Sequence, residues 1–374
     1  MQVQGIMRLT DARALPPTTP RPAVDSNHHH NHHHLPRIIT YYQTHHDPHS
    51  GQHISLLPLL TQPAISLTHL ILAAVHINGD PQALTLNDHP PDHPRFQTLW
   101  AELRLLQAAG IKVLAMLGGA ARGSYERLDV SAAAPDDDAR FEAYYAPLRD
   151  LVREKGLDGL DLDVEENMSL AGIIRLIDRL RSDFGPDFII TLAPVAMALL
   201  DAEKNLSGFD YEALEVLRGN DIAWYNTQFY CGWGDLSSTY MYDLMLQKGW
   251  PAHKIVVGLV TNPANGKGFV PWHMLSAVLA ALKRRQQTFG GAMGWEYFNS
   301  LPGDAQRPWE WAQHMSSLLR SHALAAPPPT QPSDRAVAAT PAEGHEIDPD
   351  ETGGDPLHVP APFEYYSDGG HNDD

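Results

Sequence analysis

The sequence predicts one α/β domain, a (β/α)8 TIM barrel, carried between two irregular arms. Three observations predict it. Eight short apolar runs recur between Arg37 and His322, with helical stretches between several of them. Strands that alternate with helices pair in parallel, and this span matches the length of eight such units. No Gly-rich phosphate loop follows the first run, which weakens an open doubly wound sheet as the alternative.

The predicted strands, in order, are Ile38–Gln43, Leu70–His76, Lys112–Leu117, Gly159–Glu165, Phe188–Ala193, Ile222–Tyr230, Ile255–Val260 and Ala292–Trp295. Each is short and carries at least one β-branched or aromatic residue, and most carry several. Predicted helices are Phe96–Ala109, Asp136–Lys155, Ser169–Phe184 and Pro271–Thr288, with Pro308–His322 closing the ring. Gly110, Gly156 and Gly290 stand at or just past helix ends, where a left-handed cap suits glycine.

The fourth strand carries the chemistry. It reads Asp158-Gly159-Leu160-Asp161-Leu162-Asp163-Val164-Glu165. Asp161, Asp163 and Glu165 fall at i, i+2 and i+4, so a strand points all three the same way. Crowded carboxyls cannot all ionise cheaply, and at least one pKa rises. A carboxyl held protonated near neutral pH is the acid that glycosidic cleavage requires. An EF-hand does not fit, because glycine stands second and glutamate eighth rather than sixth and twelfth. A solvated acidic loop would not carry Leu160, Leu162 and Val164 in strict alternation. On a barrel, active sites lie at the C-terminal strand ends. Asp163 and Glu165 close the fourth predicted strand, Gln228 and Tyr230 the sixth, and Trp295 the eighth.

Composition bounds the rest. The chain has 374 residues and a net charge of −18. From Ser333 to Asp374 eleven acids stand against one base, Arg335, which supplies −10 of that charge. No basic patch suggests nucleic acid, and no run approaches the ~18 apolar residues of a membrane span. One cysteine, Cys231, and no secretory apolar core in Met1–Arg37 lead to an expected cytoplasmic setting, with unconventional secretion left open. Residues 1–36 are expected to be a disordered arm rich in His and Pro, with catalytic domain at 37–322 and an acidic, Pro-rich disordered tail at 323–374. The tract His28–His34 reads as a low-complexity linker rather than a metal site. The apolar patch Leu357–Tyr366 is a candidate docking segment. No metal or cofactor is expected.

At these residues the sequence resembles glycoside hydrolase family 18, the chitinases and related endo-β-N-acetylglucosaminidases. The family's D-G-x-D-x-D-x-E signature is matched at every fixed position by Asp158 to Glu165. Gln228-Phe229-Tyr230 resembles the sixth-strand Q-F-Y. Gly290–Trp295 resembles the eighth-strand G-G-x-M-x-W, and Thr191-Leu192-Ala193-Pro194 the end of the fifth strand. The likeness spans roughly Arg37 to His322. It implies a retaining, substrate-assisted reaction, in which the sugar's own 2-acetamido oxygen attacks the anomeric carbon. Glu165 is then the general acid. Asp163 orients the acetamido N–H, Asp161 shares a proton with Asp163, and Tyr230 donates to the acetamido oxygen. Trp295 is the floor of the −1 subsite, and Gln228, Tyr41, Gly119 and Met293 are the other implied substrate-binding positions. The implied partner is an oligosaccharide or polysaccharide containing N-acetylglucosamine, met by a monomer.

The resemblance has departures. The third strand, often S-x-G-G, reads Met116-Leu117-Gly118-Gly119 here. Methionine cannot donate the hydrogen bond that serine gives the inner aspartates, although Tyr41 is placed to reach Asp161. Cys231 follows Tyr230 where asparagine is common. Asp158 is expected to be structural, and Glu166 and Asn167 either line a subsite or form a solvated loop. Three activities stay open: a chitinase, an endo-β-N-acetylglucosaminidase on the chitobiose core of N-glycans, and a non-catalytic chitin-binding lectin. The presence of Glu165 favours an enzyme, because hydrolysis depends on the acid.

Overall fold

The computed structural model describes residues 35–130 and 137–320. The tail, the His tract and the arm up to residue 34 lie outside these, as do the patch Leu357–Tyr366 and the last two residues of the final predicted helix.

The strands are β1 (Arg37–Tyr42), β2 (His69–His76), β3 (Thr85–Leu86), β4 (Lys112–Gly118), β5 (Gly159–Asp163), β6 (Ile189–Leu192), β7 (Trp224–Gln228), β8 (Ile255–Val260) and β9 (Gly291–Trp295). The sheet runs β1-β9-β8-β7-β6-β5-β4-β2, and β1 pairs with β2 to close a parallel eight-stranded barrel. The remaining strand, β3, pairs antiparallel with the end of β2. The helices are α1 (Pro58–Thr61), α2 (Gln97–Ala108), α3 (Ser124–Leu128), α4 (Asp137–Lys155), α5 (Leu170–Phe184), α6 (Tyr211–Arg218), α7 (Tyr240–Lys248), α8 (Trp272–Arg285) and α9 (Glu310–Arg320). The predicted barrel is the fold observed.

Period-two alternation sorts the strand side chains into two apolar layers. Tyr42, Leu72, Leu117, Leu160, Leu162, Ile190 and Val257 face the helices and join their buried faces. Ile39, Tyr41, Ile71, Leu114, Met116, Trp224, Val256 and Met293 fill the barrel interior. On β5 this alternation turns the two leucines outward and leaves Asp161 and Asp163 on the inner face. The helices supply the outer half of the larger core. On α5, Ile173, Leu176, Ile177 and Leu180 are buried at i, i+3, i+4 and i+7, each burial contributing about 1.5–3 kcal/mol. The Ser169 hydroxyl accepts from Gly172 N at 3.0 Å to cap this helix.

At the barrel's N-terminal end, the Arg37 guanidinium lies over the Trp224 ring at 4.3 Å and donates to His253 O at 2.8 Å. Burial lowers its pKa to about 10.

Two predicted strands end early. The fourth was expected to run to Glu165 and stops at Asp163. There Gly119 N donates to Asp163 O, and the Ser207 hydroxyl, not a strand, takes Val164 O. The sixth was expected from Ile222 to Tyr230 and spans only Trp224–Gln228. Past it, Cys231 adopts φ 56 and turns the chain away from the barrel. Glu165 and Tyr230 therefore sit on rim loops, two residues beyond their strands. Gly290 is also corrected. Gly110 and Gly156 have φ of 91 and 64, but Gly290 is not left-handed. A Cβ at Gly290 would lie 2.2 Å from Ile255 O, so close backbone approach requires glycine there. Helices α1, α3, α6 and α7, of 4, 5, 8 and 9 residues, were not predicted. Runs this short show little periodicity and owe their helicity to tertiary packing.

Candidate active site

The site forms where β5 and β7 reach the C-terminal rim. Asp161 is completely buried. Its carboxylate accepts the Tyr41 hydroxyl at 2.7 Å, the Thr191 hydroxyl at 2.6 Å and the Asn226 amide at 2.9 Å. These donors come from β1, β6 and β7. Met116, beside Asp161 in the ladder, adds none.

One amide joins the other two acids. Gln228 Nε2 donates to Ala193 O at 2.9 Å and lies 3.3 Å from both Asp163 Oδ1 and Glu165 Oε1. The nitrogen carries two hydrogens. One serves the carbonyl, and the second is shared between the two carboxyl groups.

Burial raises all three acids. For Asp161 the three donors oppose the rise by favouring the anion. Asp163 is pushed well above the carboxylate range, by burial first and then by Glu165 and Asp161. Burial lifts Glu165, and only the Gln228 bond opposes it. Asp161 thus has the most donors favouring its anion, while Asp163 and Glu165 have only the shared amide.

The aromatic residues lie alongside. Tyr230 is buried with Val260, Phe269 and Trp295 packed in the same interior cluster. The ring of Trp295 lies 5.5 Å from that of Tyr41. Met293 is 1% exposed, two residues deeper on β9 than Trp295. Gly119 has φ 86, and a Cβ there would meet Met116 Cε at 2.9 Å and Asp163 Oδ2 at 3.5 Å. Glycine keeps that approach to Asp163 open.

Asp158 lies at the other end of β5, where it accepts Val113 N at 2.9 Å and Gln107 Nε2 at 2.9 Å and pairs with Lys112 at 2.8 Å. It is structural, as expected. Glu166 is buried, not part of a solvated loop, and accepts Gly123 N at 2.7 Å and Tyr125 N at 2.8 Å. That ties the start of α3 to the residue after the acid.

Three supporting residues escaped the sequence reading, the first being Asn226, whose amide bonds Asp161. Thr191 has the same strand parity as Ala193, but only the β5–β6 register puts it beside Asp161. Glu296, buried, accepts Gln43 N at 2.9 Å, Thr44 N at 2.8 Å and the Thr44 hydroxyl at 2.8 Å. It clamps the rim of β1 to that of β9, next to Trp295. Its position directly after the aromatic motif was the one available signal.

Among the described residues, no cluster of three or more His, Cys, Asp or Glu side chains could hold a metal ion. No described helix is long and apolar enough to cross a membrane.

Fold and site together define a (β/α)8 barrel with an acid–base constellation at the C-terminal ends of its strands. The pattern of Glycosyl hydrolases family 18 matches residues 37–270, and the chain belongs to that family. It is 27% identical over 215 residues to Chitinase 2 of Rhizopus oligosporus, a match covering 52% of this chain and 36% of that protein. The chain thus spans about a third of the length of that relative. It is also similar to a solved fungal endo-β-N-acetylglucosaminidase of the same family, with 51% identity, a TM-score of 0.72, and coverage of 76% of this chain and 99% of that one. A solved chitinase from Aspergillus fumigatus is 54% identical, with a TM-score of 0.68 and coverage of 75% and 98%.

Proposed function

We propose that this protein hydrolyses β-1,4 links between N-acetylglucosamine units, in chitin or its oligomers, by a retaining, substrate-assisted reaction. The observation that carries this reading is the shared Gln228 amide, 3.3 Å from both Asp163 and Glu165. It holds an acid and a second carboxyl as one unit rather than as two groups on opposite sides of a sugar. An inverting enzyme needs its carboxyls roughly 6.5–9.5 Å apart, with room for water between them. Here the pair suits one acid and one orienting group. Glu165, raised by burial, protonates the leaving oxygen and later activates water. The electron pair that breaks the glycosidic bond leaves with that oxygen, and the substrate's acetamido oxygen forms the new bond to the anomeric carbon. Asp163 accepts the acetamido N–H and orients it for attack. Tyr230 donates to the acetamido oxygen, and Trp295 packs against the sugar's C–H face.

Glu165→Gln tests the acid. Turnover of chitin oligomers should fall by about 10²–10⁴-fold, the usual contribution of a general acid. Oligomer binding by calorimetry should be retained. Undiminished turnover in this variant would sink the assignment.

A second reading keeps the chemistry and changes the substrate, to the chitobiose core of N-glycans. The likeness at 51% identity to the fungal endo-β-N-acetylglucosaminidase favours it. Parallel incubation with chitin oligomers and a high-mannose glycoprotein separates the two. Shortened oligomers alone support the first reading, and released glycan alone supports the second.

A further inference from the structure

We infer that Thr191 and Asn226 are positioning residues that hold Asp161 as the anion of the acid cluster, so that the shared proton rests on Asp163. The geometry is specific. Three neutral donors from three strands converge on one buried carboxylate, at 2.7, 2.6 and 2.9 Å. A carboxylate accepting that many bonds is strongly favoured as the anion. Asp163, two residues along the same face, has only its share of one amide hydrogen at 3.3 Å.

The orientation of Asn226 follows from its other bond. The Trp224 indole N–H donates to Asn226 Oδ1 at 2.9 Å. An indole nitrogen only donates, so the amide oxygen faces Trp224 and the NH2 faces Asp161. The Thr191 hydroxyl, fully buried, lies 2.6 Å from Asp161 Oδ1. Met116, beside Asp161 on β4, brings a thioether that offers no hydrogen. Thr191 and Asn226 therefore supply the support that this strand lacks. The other ionisable groups acting on this cluster are Asp163, with Glu165 acting on it in turn, and the phenols of Tyr41, Tyr125 and Tyr211. All three phenols are raised by burial, as is the Cys231 thiol near Glu165, so Asp163 and Glu165 are the groups that titrate alongside Asp161.

The consequence for activity rests on the proposed role of Asp163, whereas the charge on Asp161 can be read without turnover. The experiment is a ¹³C-carboxyl NMR titration of the full chain, run beside pH profiles of kcat/KM on a chitin oligomer. Thr191→Val preserves shape and removes one donor. Asp161 should then titrate about one pH unit higher, since a hydrogen bond to a charged group is worth about that much. The acidic limb of kcat/KM should move up equally, with kcat down about tenfold and KM little changed. Thr191→Ser should restore both titration and limb. Adding Met116→Ser to Thr191→Val offers a new donor and should move both part of the way back. Asp161 titrating as in the wild type in Thr191→Val overturns the inference, as does Thr191→Ser behaving like the valine variant. If Asp161 shifts as expected but the wild-type protein cleaves no N-acetylglucosamine substrate, the charge assignment stands and the proposed function falls.

Discussion

At the scale of single residues, the proposed reaction makes Gln228 the residue that sets the alkaline side of the pH profile. Glu165 must be protonated to act as an acid, so kcat/KM falls as pH rises through its raised pKa. The Gln228 bond favours the ionised form and holds that pKa down. Gln228→Leu should therefore move the alkaline limb of kcat/KM to higher pH. A limb that stays in place or moves down would show that Gln228 does not tune the acid. The acids were legible in the sequence because period-two alternation needs no knowledge of partners. Asp161, Asp163 and Glu165 could be put on one face from spacing alone. Tyr41 could also be placed within reach of Asp161, as the structure finds it, but Thr191 and Asn226, 30 and 65 residues away in sequence, could not.

At the scale of elements, the start of β5 depends on a missing side chain. A Cβ on Gly159 would lie 2.2 Å from Ile189 O and 2.7 Å from Ile189 Cβ. Gly159→Ala must push β5 from β6, and β5–β6 spacing sets the Asp161–Thr191 contact. Overpacking of this kind costs about 1–3 kcal/mol, which urea denaturation should show as a lower midpoint. The α5 cap gives a contrasting case. Ser169→Ala removes the bond to Gly172 N and should cost about 1 kcal/mol. Oligomer turnover at 25 °C should stay unchanged, because the Ser169 side chain bonds Gly172 and Asp129 and none of Asp161, Asp163 and Glu165. The long helices were legible from periodicity and length. Strand β5 was read two residues too long, and β7 two too long at each end, because apolar rhythm continues past the ladder bonds. Where pairing stops depends on neighbours such as Ser207 and on the turn at Cys231.

At the scale of the molecule, the site opposes stability. Asp163 has a folded pKa raised well above its unfolded value. The stability contributed by its protonated form is full below the unfolded pKa and is lost as pH rises through the folded one. Asp163→Asn replaces that group with a neutral one of the same shape. The variant should melt at a higher temperature than the wild type at pH 7, with no gain near pH 3, while losing turnover. An equal gain at both pH values would show that the benefit is not electrostatic. The fold class followed from the sequence because eight alternating units admit few topologies once parallel pairing and right-handed crossovers apply. The site's location followed as well, since the strand ends of a barrel converge by construction. The sequence by itself determined the barrel, the family signature and which carboxyls share a face, because these depend on order and period along the chain. Only the tertiary structure decided how many donors each acid meets and that Gln228 joins Asp163 to Glu165. Those outcomes depend on burial and on donors brought from distant strands, and barrel closure and register alone bring such groups together.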